Sequence, residues 1–307
     1  MFAKIITILI IGQIILGLGG CGVKRDPYGV LVNRVSNISI QGNEWFSQGN
    51  YPKAAREFSK ALELSRSADY RPGVAQQLNN LGAVALDQGD LEKAQEMFNQ
   101  AWQINEELQS WAEASTNQAN LATVAQKRGK MALAEQHLQS SWEEAQKSKS
   151  TAALGRALCR LAGYYLDAKD FTSAQKFLQQ AQPLASSPDL QGAFFHQWGR
   201  FNLAQSDLEA AWTNFSKALE ADRKLLNRAA MAADLFALGE TRQAQGEWRE
   251  AFDYFGRAFD IYVGLSKKAR LQDCLKQLQE ANKRGKLGYS LQRFETHALL
   301  TPPVPKP

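Results

Sequence analysis

The stretch Leu78-Asn79-Asn80-Leu81-Gly82, continuing to Gly89-Asp90-Leu91, Ala94, Phe98 and Ala101, reads as two short helices hinged at Gly89-Asp90. Small residues stand at Gly82, Ala94 and Ala101, and one large apolar residue at Phe98. Working outward, the same arrangement recurs. The first small position falls at Gly42, Gly82, Ala122, Ala162, Gly199 and Gly239, in steps of 40, 40, 40, 37 and 40 residues. Twelve residues after each stands Ala54, Ala94, Ala134, Ala174, Ala211 or Ala251, and nineteen after stands Ala61, Ala101, Ser141, Ala181, Ala218 or Ala258. Sixteen after, the residue is always large: Phe58, Phe98, Leu138, Leu178, Phe215 or Phe255. Small residues let the two helices of a pair approach closely, and the large one fills the space beside them. A single pair cannot bury its apolar face, so neighbours must stack.

The hinges are Gly49-Asn50, Gly89-Asp90, Gly129-Lys130, Lys169-Asp170, Ser206-Asp207 and Gly246-Glu247. Glycine there ends one helix in the left-handed conformation, and Asp or Asn caps the next. The pattern resembles the tetratricopeptide repeat, whose usual period is about 34 residues. It is similar to the longer variant of kinesin-light-chain-like arrays. The resemblance covers the chain from near Val35 to near Ser266 and implies an all-α fold, a right-handed α-solenoid of six helix pairs. One further helix, with the stripe Leu271, Cys274, Leu275 and Leu278, caps its end, as solenoids require. Lys169 and Ser206 replace the hinge glycine, and the fifth repeat is three residues short, so irregularity is expected between Pro183 and Gly192.

The chain divides as a signal segment over 1–20, a tether over 21–33, the solenoid over 34–284, and a basic, Pro-rich, mobile tail over 285–307. The first segment carries Lys4, an apolar run from Ile5 to Leu18 and small residues before a break, the form of a secretory signal. Leu18-Gly19-Gly20-Cys21 resembles the bacterial lipobox, which implies cleavage before Cys21 and lipidation, palmitate included, on that residue. Several acyl chains anchor a protein almost permanently. Gly22 after the cysteine implies delivery to the outer membrane, where the protein faces the periplasm of the cell envelope.

The 307 residues suit one elongated repeat domain better than two globules. The formal charge of +5 is interspersed and drops by one when Lys4 leaves, which argues against a nucleic-acid partner. Cys159 and Cys274 lie on stripes far apart in sequence, so no disulfide is expected. His137, His196 and His297 have no acidic or cysteine companion at ligand spacing, and no metal or other cofactor is expected. The chain has no phosphate loop or nucleophile elbow, and Glu106-Glu107 and Glu143-Glu144 read as solvated helix faces, so it is not read as an enzyme. A small-molecule substrate is likewise not expected.

Binding remains. In tetratricopeptide arrays the first helix of each pair lines a concave groove. Carried across, this places Asn43, Asn79, Asn80, Asn120, Thr123, Lys127, Arg156 and Arg200 in a peptide-binding groove. The long-repeat families use such an Asn to hydrogen-bond the backbone of an extended peptide. An amide offers both a donor and an acceptor and so matches a peptide unit without reading its side chain. An inter-helix hydrogen bond is the competing use of the same asparagines. Lys127, Arg156 and Arg200 favour an acidic ligand. The cation pattern that reads a C-terminal carboxylate is missing, because Ser36, Ser39, Gln76, Asn79, Thr116 and Ala119 fill its positions. The expected function is a membrane-anchored scaffold or adaptor that holds other envelope proteins or extended peptides. The alternative is a pilotin-like role in assembling a secretin or type IV pilus.

Overall fold

A computed structural model describes residues 27–299, and fourteen α-helices fill them. Six antiparallel pairs follow one another: α1 (Pro27–Ser47) with α2 (Tyr51–Ser67), α3 (Arg71–Gln88) with α4 (Leu91–Glu107), α5 (Trp111–Lys127) with α6 (Met131–Lys147), α7 (Thr151–Asp167) with α8 (Phe171–Ala181), α9 (Pro188–Ala204) with α10 (Leu208–Lys224), and α11 (Arg228–Ala244) with α12 (Trp248–Gly264). They are followed by α13 (Lys268–Arg284) and α14 (Gln292–Leu299). The fold is the expected all-α solenoid. The signal segment, Cys21 and the first residues of the tether lie outside the described residues.

The small-residue positions are the spine of the stack. Ala54, Ala94, Ala134, Ala174, Ala211 and Ala251 are all 0% exposed. A finer rule appears where the pairs meet. A side chain added at Gly42, Gly82, Gly199 or Gly239 would run into Phe58, Phe98, Phe215 or Phe255. Where the large residue is only Leu138 or Leu178, its partner is Ala122 or Ala162. Gly–Phe and Ala–Leu fill the same space with different halves of it, as close packing demands.

Every hinge adopts the left-handed conformation. Gly49, Gly89, Gly129 and Gly246 do so, and Lys169 and Ser206 do so at φ 59° and 62° in place of glycine. Asn50, Asp90, Asp170 and Asp207 then cap the following helix by accepting from a backbone N–H three residues on. The irregularity expected near Pro183 is present: α8 has eleven residues, a short 3-10 turn spans Gln182–Leu184, and Pro188 opens α9.

Three readings are corrected. The solenoid starts earlier than residue 34, because α1 begins at Pro27. The first part of the expected mobile tail is a packed helix: Phe294 of α14 is buried against Phe252 and Phe259, and Asn282 holds the backbone of Tyr289 in both directions. Two aromatics covering the end of α12 outweigh the basic residues around them. Glu144 is not solvated: it is buried and accepts from Trp102 Nε1 at 2.7 Å, and burial holds its carboxyl above the usual range.

Odd-numbered helices touch their odd-numbered neighbours throughout, from α1 on α3 to α9 on α11, and no comparable contact joins successive even-numbered helices. The odd helices are therefore crowded on the inner face of a curved stack, and the even ones spread over its outer face. The curvature brings the ends together. Tyr51 Oη donates to the carbonyl of Leu265 at 3.3 Å, across 214 residues. Lys267 Nζ stands 2.7 Å from Asp87 Oδ2.

Candidate functional site: the inner face of the solenoid

The site is assembled from the odd helices, and its character changes along the stack. Between α3 and α5 it is an amide chain. Asn105 Nδ2 donates to Asn117 Oδ1 at 2.8 Å, Asn117 Nδ2 donates to Asn79 Oδ1 at 3.0 Å, and Asn120 Nδ2 donates to the same oxygen at 2.9 Å. Asn80 Nδ2 donates to Gln77 Oε1 at 3.4 Å. Asn79, Asn80 and Asn120 are half-buried. The competing use of asparagine, an inter-helix bond, is thus realised for Asn79 and Asn120. It still leaves Asn79 Nδ2 and Asn120 Oδ1 without a partner among the described residues. A cavity of about 320 Å³ opens beside Asn79, lined also by Tyr70, Gln76, Glu113 and Thr116. Asn43, on α1, is exposed.

The middle of the face is basic, and most of its charge is spent on joining repeats. Arg156 of α7 reaches Asp189 of α9 at 3.2 Å, and Arg200 of α9 reaches back to Asp167 of α7 at 2.5 Å. Thr123 Oγ1 donates to the carbonyl of Ala119, and Lys127 beside it is exposed. Both line a second cavity of about 410 Å³ with Met131 and Tyr164. Arg160, one turn beyond Arg156, is exposed and takes no hydrogen bond or ion pair among the described residues. The surrounding walls lower its guanidinium pKa, and Arg156 adds to this. Sequence reasoning missed Arg160; its i+4 spacing from Arg156 was the available signal.

Between α9 and α11 the face becomes acidic. His196 Nδ1 donates to Asp234 Oδ1 at 2.6 Å, so the histidine does have an acidic companion, 38 residues away. Asp234 is 1% exposed and Asp222, beside it, 4% exposed. Burial, and then Asp234, push the Asp222 carboxyl up to about 7; burial also raises Asp234. Two facing carboxyls resist joint ionisation, and a proton shared between them would give the otherwise unpartnered Asp234 Oδ2 a bond. Asp222 lies so close to α9 that a side chain at Gly192 would meet its oxygens at 2.7 Å. Helix spacing alone could not show this triad, because its members come from three different helices.

Among the described residues no group of three His, Cys, Asp or Glu side chains could hold a metal ion. Cys159 and Cys274 are free and buried, with burial pushing both thiols up to about 12. No described helix is long and apolar enough to cross a membrane.

The family model described as tetratricopeptide repeat matches residues 46–107 and 191–262. Those two stretches are tetratricopeptide repeats, and the solved structures below share the fold. The stretch between the two matches holds α5–α8, where Ala and Leu replace Gly and Phe in the spine. Among solved structures, the Rap protein complexed with competence and sporulation factor superposes with a TM-score of 0.62 at 14% identity, covering 86% of this chain and 71% of that one. The apo form of RapI gives 0.60 at 15% identity, covering 77% and 85%. BtubC from P. vanneervenii gives 0.53 at 17% identity, covering 70% and 92%. At these identities the likeness is one of fold. No curated protein matches the sequence.

Proposed function

We propose that this protein is a lipid-anchored scaffold of the bacterial envelope that holds an extended polypeptide along its inner face. The tetratricopeptide-repeat fold is that of a protein–protein interaction scaffold. Within it, the observation that carries the reading is the amide chain. Asn79 and Asn120 fix each other's orientation, so the remaining Asn79 donor and Asn120 acceptor are presented ready-made. A donor beside an acceptor on a preorganised surface complements one peptide unit of an extended chain. Free Arg160 and Lys127, farther along, favour an acidic residue in the same chain. The Rap protein's complex with competence and sporulation factor agrees with a fold of this kind holding a smaller partner. Anchoring rests on the lipobox-like Leu18-Gly19-Gly20-Cys21.

The test is capture by cross-linking in intact envelopes, with tagged, lipidated protein as bait. Asn120→Ala should lose the captured partner while Glu143→Gln, on the exposed outer face, keeps it. Retention of the partner by Asn120→Ala would move binding off this surface. For the anchor, a fatty-acid analogue should label the wild type and not Cys21→Ser; equal labelling would end the lipoprotein reading.

A further inference from the structure

In antiparallel pairs, the turns inside pairs lie along one edge of the stack and the turns between pairs along the other. The α1–α2 turn and the last turn of α3 belong to the first edge; the α12–α13 turn belongs to the second. Their meeting shows that the stack completes one superhelical turn and sets its trailing edge on its leading edge.

The seam is specific. Tyr51, Asp87, Leu265 and Lys267 converge there: the tyrosine hydroxyl bonds the Leu265 carbonyl, and the Lys267 ammonium pairs with Asp87 and stands 5.8 Å from the Tyr51 ring centre. Burial, and then Asp87, push the Tyr51 phenol up. Leu265 is 3% exposed, and its backbone leaves no room for a side chain at Gly49, whose Cβ would lie 2.6 Å from the carbonyl oxygen. Both charges sit at ends of helices that disfavour them. Asp87 is in the last turn of α3, where the helix dipole is negative, and Lys267 directly precedes α13, where it is positive. Apart, each is misplaced; together they cancel each other and bring opposite dipole ends face to face.

The seam is also slight. Among the described residues it holds the Tyr51–Leu265 hydrogen bond, an ion pair whose side chains are 26% and 23% exposed, the approach of Lys267 to the Tyr51 ring and the contact of Leu265 with Gly49. Contacts of that number do not lock two edges permanently, and an ion pair that still reaches solvent is weakened by salt, less than one on the open surface. We propose that Tyr51, Asp87, Leu265 and Lys267 form a salt-sensitive latch that closes the solenoid into a ring and, on opening, admits a polypeptide to its inner face. The role in admission rests on the inner face being the binding surface; the latch itself does not.

The test uses the chain without residues 1–21, the expected signal segment and its lipidated cysteine, so that it carries only the buried Cys159 and Cys274. Small-angle X-ray scattering should give a larger radius of gyration in high salt than in low salt. Lys267→Glu and Asp87→Lys should each enlarge it in low salt, and the double exchange should restore the wild-type value. Tyr51→Phe, which keeps the ring in the core, should act in the same direction more weakly if a charge variant fails to fold. For admission, Lys127→Cys supplies a thiol on the inner face. A maleimide borne on a small folded protein should react several-fold faster once Lys267→Glu is added, while N-ethylmaleimide reacts at one rate in both. An unchanged radius across salt and variants, or a double exchange that does not restore it, overturns the latch. Equal acceleration of both maleimides overturns its role in admission. None of these readouts needs the partner, so their failure is separable from failure of the binding reading.

Discussion

The α1–α2 and α3–α4 turns are almost the same in sequence, Gly49-Asn50 against Gly89-Asp90, and the same in backbone, with both glycines left-handed and both caps made. Their surroundings differ completely. Nothing lies within 4 Å of a side chain placed at Gly89, whereas one at Gly49 would strike the backbone of Leu265. The repeat pattern therefore sets the turn, and the superhelix decides what the turn touches. A motif that reads one pair at a time carries the first and is blind to the second.

The largest expected effect separates the two turns directly. Gly89→Ala should cost about 1 kcal/mol for left-handed backbone alone. Gly49→Ala adds a backbone clash and should cost about 2–4 kcal/mol. Chemical denaturation measures both, and equal losses would break the comparison. Next, the spine should be indifferent to position. Ala54→Leu and Ala94→Leu overpack the same 0%-exposed site in successive pairs and should each cost about 1–3 kcal/mol. Unequal losses would mean that the seam reaches into the spine.

A third prediction concerns the acid pair between α9 and α11. The folded pKa of Asp222 is raised to about 7 from 3.8. The folded state therefore binds a proton more tightly than the unfolded state. The resulting stability is full below about pH 4 and is lost as pH rises through 7. Asp222→Asn removes the ionisation. It should match wild type near pH 4 and exceed it progressively above that, by about 2–4 kcal/mol at pH 8. The titratable groups facing the pair are His196 and the Arg156-paired Asp189 on α9, and Tyr262 on α12, whose phenol burial pushes up to about 12, so that it stays neutral over this range. A difference that does not change with pH would show that the two carboxyls do not share a proton. The smallest effect is that of Asn120→Ala. It removes one of two bonds to Asn79 and should cost about 0.5–1.5 kcal/mol, less than Gly49→Ala at the seam.

What could be read in advance follows the same division. Helix pairs, hinges, caps and the spine depend on residues within one period, and the sequence showed them down to the irregularity at Pro183. Inner-face positions such as Asn79 and Asn120 were placed by the resemblance, but not their bonds to one another, which cross 41 residues. Burial of Glu144 by Trp102, the pairing of His196 with Asp234, and the packing of Phe294 under α12 all join different pairs. Nothing in a single period encodes them. The 214-residue contact between Tyr51 and Leu265 depends on the summed twist of every intervening pair, and is the farthest of all from the local pattern.

That contact is also where the account is most exposed. A carbodiimide joins a carboxylate to an amine only where the two already touch, with no spacer between them. Applied to the unsubstituted chain in low salt and read by mass spectrometry, it should couple Lys267 to Asp87 as readily as it couples Lys224 to Glu220, an ion pair at 2.9 Å within one helix. Coupling of Lys224 to Glu220 with none between Lys267 and Asp87 would mean that the two edges do not meet and that the solenoid is an open arc.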